Sequence, residues 1–179
     1  RWNLISKPEK QKVQNLQNAL QVDEIIATLL VQRGIETFEQ AKTFFRPSLK
    51  DLHDPYLMKD MDFAVNRIEK AIQNEENILV FGDYDVDGTT AVSLVSSYLK
   101  TIYSNIDTYI PDRYDEGYGI SYKGIDYAED NGISLIIALD CGIKSIDHID
   151  YANKKGIDFI ICDHHRPGEF LPKAIANLS

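Results

Sequence analysis

Residues 78–90 read Ile-Leu-Val-Phe-Gly-Asp-Tyr-Asp-Val-Asp-Gly-Thr-Thr. Four apolar residues with no polar alternate are the pattern of a strand buried on both faces, and the glycine- and aspartate-rich turn behind them ends it. Three further apolar runs follow at 106–110, 133–139 and 157–161, and the four begin 28, 27 and 24 residues apart. The segments 89–103, 121–130 and 143–155 between them read as helices, with Gly132 and Gly156 where helices should stop. Strands alternating with helices predict an α/β fold: a parallel, Rossmann-like sheet with helices on both faces and right-handed crossovers. Just upstream, Met61, Val65, Ile68 and Ile72 mark an amphipathic helix for which Asp60 is the expected N-cap.

Before that point the chain changes character. Ser6-Lys7-Pro8-Glu9 combines a capping residue, a first-turn proline and a glutamate three positions on, so a helix is expected there with Val13, Leu16 and Leu20 inward. Ile25, Ile26, Leu29 and Leu30 suggest a second helix stopped by Gly34. Thr37 should cap a third, carrying Phe38, Ala41, Phe44 and Phe45 and ended by Pro47. The expected organisation is a small helical N-terminal leader over 1–58 and an α/β domain over 59–179 that is incomplete at its C-terminal end.

Composition narrows the class. The chain has 179 residues, 44% hydrophobic and 26% charged, an ordinary globular balance that excludes disordered and collagen-like chains. No apolar run approaches the roughly 20 residues that span a bilayer. Cys141 and Cys162 form no CxxC, and the start Arg1-Trp2-Asn3-Leu4 carries no apolar signal core, so a trimmed chain in a reducing intracellular compartment is expected. Nineteen basic against 28 acidic residues give a net charge of −9, which counts against binding nucleic acid by simple electrostatics.

The placement of those acids matters more than their sum. In an open parallel sheet, ligands bind beyond the carboxyl ends of the strands. The four strands here run into Asp83-Tyr84-Asp85-Val86-Asp87, into Pro111-Asp112-Arg113-Tyr114-Asp115-Glu116-Gly117-Tyr118-Gly119, into Asp140-Cys141-Gly142, and into Asp163-His164-His165. Carboxylates gathered at one edge repel one another unless a cation joins them. Alternate residues of an extended chain share a face, so Asp83, Asp85 and Asp87 are expected to converge. An EF-hand loop fits the first six positions of D-x-D-x-D-G but needs a glutamate at the twelfth, where Leu94 stands, and a helix in front, where a strand stands. Adjacent His164 and His165 directly after a buried strand point to a metal site, and a mixed imidazole and carboxylate set suits Mn²⁺ and accepts Mg²⁺. His53 and His148 stand alone and read as structural, and packing is the expected role of both cysteines. Around Arg113 the glycines keep the backbone open, the guanidinium suits phosphate, and Tyr114 and Tyr118 suit stacking on bases. A surface loop with a salt-bridged arginine is the plain alternative there. Gly88-Thr89-Thr90 opening a helix adds an anion-friendly terminus but no Walker A lysine.

The stretches GDYDVDGTTA, PDRYDEGYG, ALDCG and CDHHRPG resemble, in order, the motifs of the DHH phosphoesterase superfamily. RGIETFEQAKTFF, LHDPYLMKDMD and Trp2 resemble the leader of its single-stranded-DNA exonuclease branch. The resemblance implies Asp85, Asp87, Asp140 and His164 as ligands of two divalent cations, Mn²⁺ or Mg²⁺, with Asp140 bridging them and Asp83 placed to complete the first shell. It implies His165 either at the scissile phosphate or as a support of the site. It also implies that Arg113, Tyr114, Glu116, Gly117, Tyr118 and Gly119 handle the nucleotide chain, and that Asp140, His164, His165 and Arg113 serve catalysis. The family's last metal-ligand aspartate follows the Asp-His-His motif and has no counterpart before Ser179, so the sequence resembles an N-terminal fragment.

The activity so implied is two-metal hydrolysis of phosphodiesters, 5′ to 3′ on single-stranded DNA, in cytoplasmic DNA repair and recombination beside a single-strand-binding protein and a helicase. Two rivals share the motifs. A small-substrate phosphodiesterase of the oligoribonuclease or cyclic-dinucleotide type shares the metals but not the EGYG loop or the leader. A non-catalytic replication protein of the same fold would have lost the ligands, which here are intact. A flavodoxin-like receiver leaves His164 and His165 unexplained.

Overall fold

The computed structural model describes residues 3–178, so Trp2 of the leader pattern lies outside the described residues. The chain divides into two compact units between Asp54 and Pro55, so residues 55–58 group with the second.

The first unit holds α1 (Lys10–Leu20), α2 (Glu24–Val31) and α3 (Phe38–Phe45), then a 3₁₀ turn at Leu49–Asp51. α1 starts later than Ser6 suggests: its N-cap is Glu9, with no side-chain cap. Pro8 disfavours helical backbone at Lys7, so the helix can begin only beyond the proline. Thr37 caps α3 as expected, in a reciprocal box with Gln40. The core is Val13, Leu16, Ala27, Leu30, Val31, Ile35 and Ala41. Of the apolar positions that marked α2, Leu30 is buried while Ile25, Ile26 and Leu29 are exposed, because the inward stripe is Ala27, Leu30 and Val31. Phe38, Phe44 and Phe45 are also more than half exposed, and α3 buries only Ala41.

The second unit opens with a 3₁₀ turn at Pro55–Leu57 and continues α4 (Met61–Gln73), β1 (Asn77–Gly82), α5 (Val86–Lys100), β2 (Ile106–Tyr109), α6 (Tyr122–Asp130), β3 (Ile133–Leu139), α7 (Ile146–Lys154), β4 (Asp158–Cys162) and β5 (Ala176–Leu178). The strands form one parallel sheet in the order β2-β1-β3-β4-β5. Side chains alternate between its faces. Leu79, Phe81, Ile136, Ala138, Phe159 and Ile161 share a core with Ile125 and Ala128 of α6 and Ile149 and Ala152 of α7. Ile78, Val80, Leu135, Ile137 and Ile160 share the other with Ala64 and Ala71 of α4 and Val92 and Leu99 of α5.

Two features were not legible in advance. β5 has only three residues with Asn177 in the middle, so no apolar run announces it. Asp60 is the N-cap residue of α4 as expected, but its side chain caps no helix amide; it adopts left-handed backbone, and its carboxylate accepts the Asn177 amide at 3.2 Å, tying the start of α4 to β5. At the opposite ends of the strands, half-buried Arg67 donates to Asp158 and Glu76 at 2.7 Å each, and Ser134 also donates to Glu76. Burial pushes the Glu76 carboxyl up, but hydrogen bonds from Ser134, Arg67 and Asn74 outweigh it and bring the pKa to about 2.

Register positions the site. Gly82 pairs with Leu139, and Leu139 with Cys162, so β1, β3 and β4 end level with one another. Pairing extends one step further, with the Asp140 amide on Cys162 O at 2.9 Å and the Asp163 amide on Leu178 O at 3.0 Å. The chain leaves β1 toward β2 on one side while β3 lies on the other, so this edge is the point at which strand order reverses, where open α/β sheets form their binding crevice. Among the described residues no helix is long and apolar enough to cross a membrane.

Candidate metal centre

The turn after β1 is built by glycine. A Cβ on Gly88 would lie 2.5 Å from the Asp83 carbonyl oxygen and 2.6 Å from its nitrogen, so only glycine lets the first turn of α5 press against the strand end. Asp85 caps α5, its Oδ1 accepting the Gly88 amide at 3.0 Å, and Asp87 stands exposed in the first helical turn. The three aspartates therefore come from a strand end, a helix cap and a helical turn. The alternate positions of an extended segment, expected from the sequence, are not how they are presented. Asp83 is fully buried; its Oδ1 accepts the Gly119 amide at 3.3 Å, and its Oδ2 has no hydrogen-bond partner.

β3 delivers Asp140 with φ +59°, a left-handed conformation that a non-glycine residue holds only when its surroundings impose it. Its carboxylate is 8% exposed. His164 Nε2 lies 3.0 Å from Asp140 Oδ1 and 3.7 Å from Asp87 Oδ2, and His165 Nδ1 lies 3.9 Å from Asp140 Oδ1. The His164 approach lacks hydrogen-bond geometry, which leaves Asp140 Oδ1 buried without a partner. Ligand atoms of Asp140, His164 and His165 all fall within 4.8 Å of one another. Burial, then the charges of Asp87 and Asp85, raise the Asp140 pKa, and His164 offsets this only in part.

Asp163 organises the histidines. Its Oδ1 accepts both the His165 amide (3.0 Å) and faces His165 Nδ1 (2.7 Å), and its Oδ2 accepts the Ile143 amide at 2.9 Å. Burial pushes its pKa up, but these hydrogen bonds prevail and hold it below the usual carboxylate value; the same contact raises the His165 pKa. Sequence reasoning did not single out Asp163 as a site residue. The signal was an Asx-turn pattern inside Asp163-His164-His165, where an aspartate bonds the backbone two residues on.

The 112–119 loop lies against this centre. The Tyr118 hydroxyl is 3.3 Å from His165 Nε2, Tyr84 packs edge-on against Tyr118, and the Arg113 guanidinium lies 5.1 Å from the Tyr84 ring centre. Burial, then the charges of Asp83, Asp140, Asp85 and Asp163, push the Tyr118 phenol up to about 12, so it stays protonated. Gly117 and Gly119 have φ of +84° and +82°, which fits the open backbone expected of them. Glu116 turns into the base of the loop, accepting from the Tyr109 hydroxyl, the Ser121 hydroxyl and the Asp112 amide. Tyr114 is 96% exposed and touches none of these groups. Cys141 is buried and Cys162 half-buried, both with thiols raised by burial, which suits packing. His148 stacks on Tyr122.

The structure thus brings Asp140, His164 and His165 within ligand distance of one another, with Asp87 3.7 Å from His164, while Asp83 and Asp85, at the end of β1 and the cap of α5, fall outside that group. It leaves Tyr114 in solvent and uses Glu116 within the loop. The buried carboxylate oxygens of Asp83 and Asp140 without hydrogen-bond partners are costly unless a cation meets them. A set of oxygen and imidazole donors fits Mn²⁺ or Mg²⁺.

The family described as "DHH family, N-terminal domain" matches residues 77–179. The single-stranded-DNA-specific exonuclease RecJ of Bacillus subtilis is 41% identical over 172 residues, covering 96% of this chain and 22% of that protein. RecJ of Escherichia coli is 32% identical over 153 residues, covering 85% of this chain and 26% of its own length. The chain thus spans about a quarter of the curated relatives it matches. Among solved structures, exonuclease RecJ bound to manganese superposes with a TM-score of 0.62 at 28% identity, covering 66% of this chain and 31% of that one. RecJ of Thermus thermophilus in complex with Mn²⁺ gives 0.74 at 24% identity over 98% of this chain and 24% of that one, a likeness of fold.

Proposed function

The chain belongs to the DHH family, and on that premise we propose that its strand-end centre serves two-metal hydrolysis of phosphodiesters in single-stranded DNA, 5′ to 3′, in DNA repair and recombination. The observation that carries this reading is the meeting of Asp140 with His164 and His165 within 4.8 Å, beside Asp87 and two unpartnered carboxylate oxygens. Asp85, Asp87, Asp140 and His164, with Asp83, would hold two divalent cations, Mn²⁺ or Mg²⁺. Such ions lower the pKa of water and neutralise charge on the phosphoryl oxygens.

The remaining work falls to the chain's own groups. Asp163 fixes the ring of His165, so that Nδ1 is tied to a carboxylate and Nε2 meets the Tyr118 hydroxyl. A cationic or donating imidazole there offsets charge that grows on a phosphoryl oxygen. Tyr118 offers a proton and no negative charge, since its phenol is held near 12. Arg113, steadied on Tyr84, is placed to take a phosphate of the bound strand. Gly119 links the loop to Asp83, so a strand lying on the loop is presented to the carboxylates. The relatives named above are single-stranded-DNA-specific exonucleases, which favours a long strand as substrate over a dinucleotide. A cytoplasmic setting with a single-strand-binding protein and a helicase as partners follows the same reading.

The test is nucleotide release with Mn²⁺ from a 5′-labelled single strand, from the matching duplex and from a dinucleotide. The reading expects turnover of the single strand, little on the duplex, and loss of turnover in Asp140→Asn. Preference for the dinucleotide would favour the small-substrate phosphodiesterase; turnover retained in Asp140→Asn would overturn the metal assignment.

A further inference from the structure

A cavity of about 200 Å³ adjoins the metal centre and is not used in the reading above. Its walls include Tyr118, Gly142, Lys144, Ser145, Asp163 and His165, so it shares His165 with the centre and Tyr118 with the nucleotide loop. Gly142, in the turn after β3, has φ +109°, a backbone conformation that strains any other residue, and it packs against the Ile120 side chain.

The charges at this cavity are unlike those of the rest of the rim. Asp163 lines it, but the carboxylate is 5% exposed and both oxygens are engaged, one by His165 and one by the Ile143 amide. It therefore offers the cavity no free acceptor. Lys144 is exposed, and among the described residues it is not one of the lysines in ion pairs, which are Lys12, Lys42, Lys123 and Lys155. Its positive charge reaches His165, where it opposes protonation. Ser145 is half-buried and its hydroxyl caps no helix amide, although the residue stands at the start of α7. The lining residues thus include a lysine, a serine, a tyrosine and a histidine, around a space whose surface is mainly apolar, in a chain of net charge −9. These four side chains are the donors available there to an anion of several acceptor oxygens.

We propose that this cavity is a subsite for the phosphate flanking the scissile one in a bound single strand, with the Lys144 ammonium as its counter-charge and Tyr118 as the wall between the two positions. The proposal rests on the phosphodiesterase reading. Arg113 lies over Tyr84, which packs edge-on against Tyr118, and Tyr118 in turn lines the cavity that Lys144 also lines. This makes Lys144 a binding residue and leaves the reacting phosphate to the metal centre.

The test measures equilibrium binding of a phosphorothioate oligothymidylate, which resists hydrolysis, in Mn²⁺ over rising NaCl, for wild type, Lys144→Ala and Lys144→Arg. Mn²⁺ affinity is measured on the same samples and reports that the centre and fold are intact. Loss of one phosphate contact on a single strand lowers the slope of log affinity against log salt by about 0.7. The expected result is that decrease in Lys144→Ala with weaker binding at low salt, restoration of both in Lys144→Arg, and Mn²⁺ affinity equal in all three. Superposing curves for wild type and Lys144→Ala would overturn the subsite. A wild-type chain that takes Mn²⁺ but not the oligonucleotide overturns the subsite and leaves the metal centre standing; a chain that takes no Mn²⁺ overturns the reading beneath it.

Discussion

Asp140 concentrates the conflicts of the site in one residue. It holds left-handed backbone, buries an oxygen without a hydrogen bond, and has its ionised form disfavoured by burial and by Asp87 and Asp85. Asparagine tolerates this backbone and carries no charge. Asp140→Asn should therefore unfold in urea with EDTA at the wild-type midpoint or above it, while its Mn²⁺ affinity disappears. A midpoint well below wild type would mean that the carboxylate is there for stability. Gly88 is the opposite case. Any side chain would press on Asp83 backbone atoms at 2.5–2.6 Å, so Gly88→Ala should lose about 1–3 kcal/mol in urea unfolding, the usual cost of overpacking. The residue types of the centre were all legible as strand-end acids and imidazoles. Their presentation was not, because whether Asp85 and Asp87 sit in a strand or at a helix start depends on how closely Gly88 lets α5 approach. The part played by Asp163 was hidden for a similar reason, since its two bonds to backbone amides exist only once the turn has formed.

At the scale of elements, the strands with continuous apolar runs could be read from the sequence because both faces of the sheet are covered and polar alternates are excluded. β5 could not, since it has three residues and joins the sheet by pairing with β4 and by the Asp60–Asn177 bond. The cluster at the other end of the sheet was equally hidden, because Arg67 and Asp158 stand 91 residues apart. Its behaviour with pH follows from Glu76. The carboxyl titrates near 2 in the folded chain and near 4.3 when unfolded. A depressed folded pKa gives stability that is present above the unfolded value and lost as pH falls toward the folded one. Wild type should thus lose stability more steeply than Glu76→Gln between about pH 4.3 and 2, followed by urea midpoints at each pH; parallel losses would discount the cluster. Glu116 supports the 112–119 loop as Glu76 supports the sheet. Glu116→Ala leaves Tyr109, Ser121 and the Asp112 amide without their acceptor and should cost about 1–3 kcal/mol. It should also weaken oligonucleotide binding with Mn²⁺ affinity retained, and joint loss of both would mean that loop and centre are not separable.

For the molecule as a whole, topology turns a chain of net charge −9 into a candidate for handling a polyanion. Because the sheet reverses its strand order between β2-β1 and β3-β4-β5, acids from β1 and β3 and imidazoles from β4 meet at one rim, and two divalent cations would leave the total near about −5. On the proposed reading, the cations and the basic side chains at the rim would carry the attraction for phosphate. The leader shows where pattern reading fails at this scale: in helices of eight residues, which apolar stripe turns inward is decided by the neighbours, and of Ile25, Ile26, Leu29 and Leu30 only Leu30 is buried, beside Ala27 and Val31. The central claim, that side chains from separate strand ends grip a pair of cations, is tested most directly by calorimetric titration of Mn²⁺ into the wild-type chain and Asp140→Asn. Two Mn²⁺ per wild-type chain and fewer in the variant is the predicted result; a wild-type chain that binds none, or a variant that still binds two, would contradict it.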